Sequence, residues 1–218
     1  MVALSSKTDG KQPARSRDAD ATQKRILAAA KREFSRLGLG GARVDDIAEK
    51  ANANKRMIYH YFGSKEDLFK KVLEDAYQDI RGAEAKLDLA GLPAEEALEK
   101  LVRFTWNYYL AHPEFLTLVN SENLHKAKHL KTSSNIEAIN RPLHGMVQDI
   151  LDRGAKEGTF RRDIDEMQLN LTIAAISYYY FTNRFTGAVL YKKDFMSPEA
   201  LEARINFNVD TILRLVRL

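Results

Sequence analysis

The chain contains no cysteine. Disulfides, thiolate nucleophiles and cysteine-ligated metals are therefore excluded together, and the composition suits a reducing compartment, with the cytoplasm the expected location. Long apolar runs are missing as well. None approaches the roughly 18 residues that a membrane span needs, and the opening MVALSSKTDGKQPARSRDAD is too polar for a secretory signal. Proline occurs five times, and apart from Pro142 each falls in the N-terminal segment or near a predicted helix end, which argues for helices and against a sheet. There is no G-x-S-x-G, H-E-x-x-H, P-loop or G-x-G-x-x-G run, so the common nucleophile, zinc and nucleotide signatures are missing. No cofactor is expected.

What is present is an ordinary globular balance, 44% hydrophobic and 29% charged, over 218 residues. That length fits one large domain, or a small one joined to a larger. The net charge of +4 is unevenly placed: residues 1–70 hold 15 Lys+Arg against 9 Asp+Glu, whereas the remainder is slightly acidic. A basic front module before a less charged body is the pattern of a nucleic-acid reader, with a merely solvated basic surface as the plain alternative.

Residues 1–20 lack apolar periodicity and mix Lys7, Lys11, Arg15 and Arg17 with Ser, Asp, Gly and Pro13, which reads as a flexible basic tail, solvated or touching DNA as an arm. From Thr22, the residues Ile26, Leu27, Ala30, Phe34 and Leu37 recur at helical spacing, and Gly38, Gly40 and Gly41 stop the helix. A short helix follows over Val44 to Ala51, then a turn over residues 52–54. Asn54 is placed to cap a third helix. In that helix Lys55, Arg56, Tyr59 and His60 share one face, while Ile58, Tyr61 and Phe62 point mostly the other way. Gly63 ends it, and Ser64 with Asp67 starts a fourth, whose first residue Lys65 stands where free amides and a cation suit a phosphate oxygen.

Two short helices joined by a tight turn, the second with a basic, hydrogen-bonding face, form a helix-turn-helix. Residues 22–73, TQKRILAAAKREFSRLGLGGARVDDIAEKANANKRMIYHYFGSKEDLFKKV, resemble the N-terminal domain of the TetR/AcrR regulators in several ordered motifs: F..G, DIA, IYHYF and SKEDL. The resemblance implies a three-helix DNA-binding domain over 21–68 and a larger helical ligand-binding and dimerisation domain over 69–218, an all-α protein. It implies DNA contacts from Asn54, Lys55, Arg56 and Met57 at the start of the recognition helix, from Tyr59 and His60 further along it, and from Arg43 and Lys65 beside it. Three positions depart from the family pattern. Asn52 replaces the turn glycine, Ala42 and Arg43 replace a frequent threonine pair, and Arg56 replaces a small residue. The base sequence preferred by relatives therefore does not transfer.

The body reads as helices throughout: Pro93 to Leu110, a short one over EFLTLVNSENL, Ile136 to Lys156, an apolar one from Glu166 to Leu190, and Pro198 to Arg217. GTFRRDID followed by AAISYYYFTNRFT resembles the ligand-binding half of the RutR/NicS-like branch of the same family, which implies dimerisation through the last two long helices and an aromatic-acid effector. Trp106, Tyr109, Phe115 and Tyr178 are candidate pocket walls, with core packing as the plain reading. Asn120, Asn123 and Arg184 are candidate polar anchors. Arg184 clamps a ligand carboxylate, pairs with Glu122, or lies on a dimer surface. Glu122, His125 and His129 form E-x-x-H-x-x-x-H, whose spacings put them on one helix face where they could hold a metal, but a second ligand set is missing, so a solvated polar face is preferred and no metal is expected.

These expectations combine into a homodimeric, effector-responsive transcriptional regulator, a repressor released from a palindromic double-stranded operator by a small molecule. The alternatives are a ligand-dependent activator and a helical enzyme. No membrane partner is expected.

Overall fold

The computed structural model describes residues 14–218, and the chain divides into two compact units between Phe69 and Lys70. Lys7 and Lys11 of the expected tail lie outside the described residues. So do the other residues up to Pro13, whereas over 14–20 the expected flexible tail is helical, because helix α1 starts at Ala14 and runs to Gly41. Residues 14–20 offer no glycine or proline to stop a helix, and Thr22 Oγ1 donates to the Asp18 carbonyl at 2.8 Å within the same turn pattern.

The first unit is built from α1, α2 (Val44–Lys50), α3 (Lys55–Phe62) and the first turn of α4 (Lys65–Glu84). Ile26, Ala30 and Phe34 of α1 meet Ile47, Ile58, Leu68 and Phe69, all fully buried. The Phe34 and Phe69 rings meet edge to face with centroids 5.1 Å apart. Each such side chain contributes about 1.5–3 kcal/mol by leaving water, so this small unit rests on its apolar stripe. Gly38 breaks α1 at φ 67, ψ 175, a conformation closed to residues with a Cβ. Asn52 adopts φ 47 in the helix-turn-helix turn, a left-handed conformation that asparagine tolerates better than most residues other than glycine. Glu33 is buried yet paired, with Lys50 Nζ at 2.5 Å and Arg36 Nη2 at 3.2 Å. The Lys50 hydrogen bond, followed by Arg36, holds its carboxyl below the usual range despite burial.

The second unit contains the rest of α4 with α5 (Ala94–Ala111), α6 (Pro113–Leu124), α7 (Ile136–Glu157), α8 (Glu166–Thr182), α9 (Arg184–Tyr191) and α10 (Pro198–Val216). Helix α5 is central and packs against α6, α7, α8 and α10. Its apolar face brings Leu98, Leu101, Val102 and Trp106 into the core. Asp165 and Ser197 cap α8 and α10 by accepting from the amides of Gln168 and Ala200. The single apolar helix expected over Glu166–Leu190 is two helices. The break falls at Asn183, whose backbone leaves the helical region at φ -104, ψ 11, while its side-chain amide donates to the Tyr179 carbonyl at 3.0 Å beside the regular backbone bond. Among the described residues no strand forms, apart from an isolated antiparallel bridge between Phe160 and Arg217.

Candidate DNA interface and effector cavity

The recognition helix α3 is fixed at its start by Asn54, whose side chain accepts from the Arg56 amide at 2.8 Å. Its far side is pinned by Ile58, which is fully buried. The opposite face then presents Lys55, Arg56, Tyr59 and His60 to solvent, with Met57 half-buried beside them. Arg43, exposed, occupies the N-cap position of α2 without capping it. Lys65 is the first residue of α4, a helix start secured by Ser64 Oγ accepting from the Asp67 amide at 3.0 Å. All eight candidate DNA residues therefore lie at the turn, along the exposed face or at the adjoining helix ends. One feature was not visible in the spacing. Lys55 Nζ lies 2.8 Å from Asp45 Oδ1 on α2, and the hydrogen bond holds the carboxyl below its usual range while raising the lysine.

In the second unit a cavity of about 410 Å³ opens among α4, α5, α6, α7 and α8. Of the expected ligand residues, Tyr109, Phe115, Asn123 and Tyr178 line it. Tyr109 and Phe115 stack with centroids 5.9 Å apart, and Tyr178 meets Tyr109 edge to face. Three expected residues do not line it. Trp106 is 2% exposed and packs on Tyr180 and Phe181, so it is core. Asn120 stands behind Tyr178, accepting from its hydroxyl, and orients that wall. Arg184 donates from Nη1 to the Phe181 carbonyl at 2.6 Å and covers the Phe185 ring. It is tied to the α8–α9 break and not paired with Glu122.

The charge in the cavity comes from α4 instead. Arg81 is the only cationic side chain among the described residues lining it, and Glu84 lines it too. Their side chains are 12% and 4% exposed, with Arg81 Nη1 3.1 Å from Glu84 Oε2. The contact is misdirected for hydrogen bonding: Arg81 Nε and Nη1 and Glu84 Oε2 all lack a hydrogen-bond partner within the protein. Burial pushes the Glu84 carboxyl up to about 7, with Arg81 opposing it. Burial likewise holds the Tyr108 and Tyr109 phenols far above their usual range, so both stay protonated. Sequence reading missed this pair although a signal existed. Tyr77, Ile80, Arg81 and Glu84 form one helical face in which two charges interrupt an apolar stripe.

The Glu122, His125 and His129 set also needs correction. Helix α6 ends at Leu124, so the two histidines lie beyond it and the three do not share a helix face. Only His125 is exposed as expected; Glu122 is 2% and His129 5% exposed. Glu122 Oε1 accepts from the His129 and Leu130 amides at 2.8 and 2.9 Å, and Oε2 lies 2.7 Å from His129 Nδ1. The carboxylate is a clip that closes the turn after α6, in which Lys126 and Ala127 both take φ 57. Among the described residues no cluster of three His, Asp or Glu side chains is arranged to hold a metal.

A helix-turn-helix unit followed by an all-helical unit with its own cavity is the arrangement of a DNA-binding regulator. Residues 26–72 match the family of bacterial regulatory proteins of the tetR type, and residues 94–212 match the tetracycline-repressor-like C-terminal domain. The transcriptional repressor NicS of Pseudomonas putida is 41% identical over 203 residues, covering 93% of this chain and 96% of that protein. The repressor KstR2 of Mycolicibacterium smegmatis is 31% identical over 157 residues, covering 71% and 72% respectively. A solved tetR-family structure from Rhodococcus RHA1 superposes with a TM-score of 0.70 over 90% of this chain and 97% of its own, at 18% identity. The chain belongs to the TetR family. It is a DNA-binding transcriptional regulator and not an enzyme. No helix among the described residues is long and apolar enough to cross a membrane.

Proposed function

We propose that this regulator is a homodimeric repressor whose recognition helices engage a palindromic operator, and that a small monoanionic aromatic acid bound beside Arg81 releases it. The observation that carries the effector reading is a buried guanidinium with partnerless N–H groups on the wall of an aromatic-lined cavity. Glu84 Oε2, 3.1 Å away, offers charge but no aligned hydrogen bond, and a ligand carboxylate can supply the bonds that those buried N–H groups lack. Tyr77, Tyr109, Phe115 and Tyr178 supply flat apolar walls, and Asn123, Asn140 and Asn170 supply neutral polar groups that orient a ring.

The dimer reading rests on side chains that one protomer leaves in water. Tyr179 on α8 and Phe207 on α10 are 69% and 61% exposed, and α9 adds Phe185 and Val189. Exposed aromatics on adjoining helices suit a seam with a second copy. A palindromic operator is reached only where the dimer sets the two recognition helices about one DNA turn, roughly 34–36 Å, or a multiple of it apart. Arg81 and Glu84 sit on the helix that begins at Lys65, and an effector that prefers a different position of that helix favours the DNA-free state.

The test is a screen of aromatic acids and their amides for release of a footprinted operator, repeated with Arg81→Met. The acids are expected to release the DNA, and the variant is expected to bind operator without responding. Release by neutral amides in both proteins would show the anionic reading to be wrong.

A further inference from the structure

The carboxyl of Glu84 lies inside the cavity, one helical turn from Arg81 and within 3.1 Å of its guanidinium, yet Oε2 has no hydrogen-bond partner within the protein. Any anion that takes Arg81 as its partner must share this space with Glu84. Two negative charges cannot be held by one buried cation without a large penalty, so one of them must carry a proton. An acid bound as its carboxylate on Arg81 gains most from the pairing, and Glu84 is the group left to be neutral. We propose that the effector acid binds with uptake of one proton by Glu84, so that the cavity takes in anion and proton together as a net-neutral pair. This rests on the effector reading given above.

The surroundings favour that assignment of the proton. Glu84 is 3% exposed, which disfavours its charged form even before a ligand arrives, and its carboxyl is already raised to about 7. The other titratable groups around the pair are Tyr77 on α4, Tyr108 and Tyr109 on α5 and Tyr178 on α8, whose phenols are all shifted upward by burial. Asp79 on α4 and Glu114 on α6 act on Tyr108 from outside the cavity lining. From α7 the lining groups are Asn140 and Leu143, neither of which titrates. A protonated Glu84 also becomes a donor, able to give its O–H to the bound carboxylate beside Arg81. A doubly charged phosphate ester gains less, because its second charge has no cation in the lining.

Below about pH 7 Glu84 already holds its proton in the free protein, and binding an acid changes nothing. Above that pH the free protein has lost the proton and the bound form regains it, so affinity falls as pH rises. Between about pH 6 and about pH 8 the loss is on the order of tenfold for one coupled proton.

The experiment is calorimetric titration of the full chain with benzoate and a set of hydroxybenzoates, at about pH 6 and about pH 8, each in two buffers of different ionisation enthalpy. Proton uptake is expected near zero at the lower pH and near one at the higher. Benzamide, which brings Arg81 no charge, and phenyl phosphate are both expected to bind more weakly than benzoate, benzamide without uptake. In Glu84→Gln, acid binding at the higher pH is expected to match the native protein at the lower pH, with no uptake at either, and operator binding provides the check on folding. Binding of the acids with no uptake at the higher pH, or with uptake that survives in the Gln variant, overturns the coupling but leaves the effector site standing. If none of the acids binds or releases the operator, the effector reading falls and the coupling with it.

Discussion

Lys55 Nζ sits between both carboxylate oxygens of Asp45, 2.8 Å from Oδ1 and 3.0 Å from Oδ2. The first residue of α3 is therefore already paired within the protein, and on the DNA-contact role proposed for Lys55 a phosphate must compete with an internal carboxylate. Both side chains are about half exposed, so exchange is open to solvent and salt. Replacing Asp45 with Asn is expected to tighten binding to any duplex and to steepen the dependence of log K on log salt by about 0.9, the contribution of one additional phosphate contact. Fluorescence anisotropy over a salt series measures it. An unchanged slope means that Lys55 stays off the backbone.

Glu122 accepts from two amides and faces His129 in a site closed to water. In Glu122→Ala these buried donors lose their acceptor, at roughly 1–3 kcal/mol each, and the thermal midpoint is expected to fall by several degrees. Glu122→Gln keeps one carbonyl oxygen for the two amides and is expected to recover part of the loss. Equal midpoints for the Ala variant and the native protein contradict the clip.

Gly154 allows the Phe160 ring to lie against its backbone. A Cβ there meets Phe160 Cδ2 at 2.1 Å, and Phe160 is 1% exposed. Gly154→Ala is expected to destabilise the second unit by about 1–3 kcal/mol through overpacking. The double variant Gly154→Ala, Phe160→Leu is expected to lose less than the two single changes summed, and strict additivity of the measured midpoints counts against the contact.

Asn208 is fully buried on α10, and neither its Oδ1 nor its Nδ2 finds a hydrogen-bond partner within the protein. Leu has the same branching without the desolvation penalty, so Asn208→Leu is expected to raise stability by about 1–2 kcal/mol in denaturant titration. A loss of stability of similar size points instead to a polar role for the amide.

Helix content and the recognition unit were legible from the residues because both depend on local order. The stripe Ile26, Ala30, Phe34 must face inward at helical period, and Asn54 one residue ahead of Lys55 must cap. With Ile58 inward, the face of Lys55, Arg56, Tyr59 and His60 must be outward. The break at Asn183 was missed because apolar periodicity runs straight across it. It shows in the backbone of Asn183 and in local bonds from the Asn183 and Arg184 side chains to carbonyls of the preceding turn, which apolar spacing does not encode.

The sequence alone therefore determined what 3.6-residue periodicity and capping can carry: an all-helical chain, a helix-turn-helix with a solvent-facing basic side, and aromatic residues available for a cavity wall. Only the tertiary structure decided which of them meet. Trp106 and Tyr109 are three residues apart on α5, yet one is packed by Phe181 at 4.4 Å and the other lines the cavity. Arg184 and Arg81 are the same residue type on comparable backgrounds, but Arg184 is consumed by a carbonyl 2.6 Å away while Arg81 faces the cavity beside Glu84. The reason is physical. A side chain's surroundings are set by helices distant in sequence, and the energetics of a charge depend on the partners those helices bring to within a few ångströms.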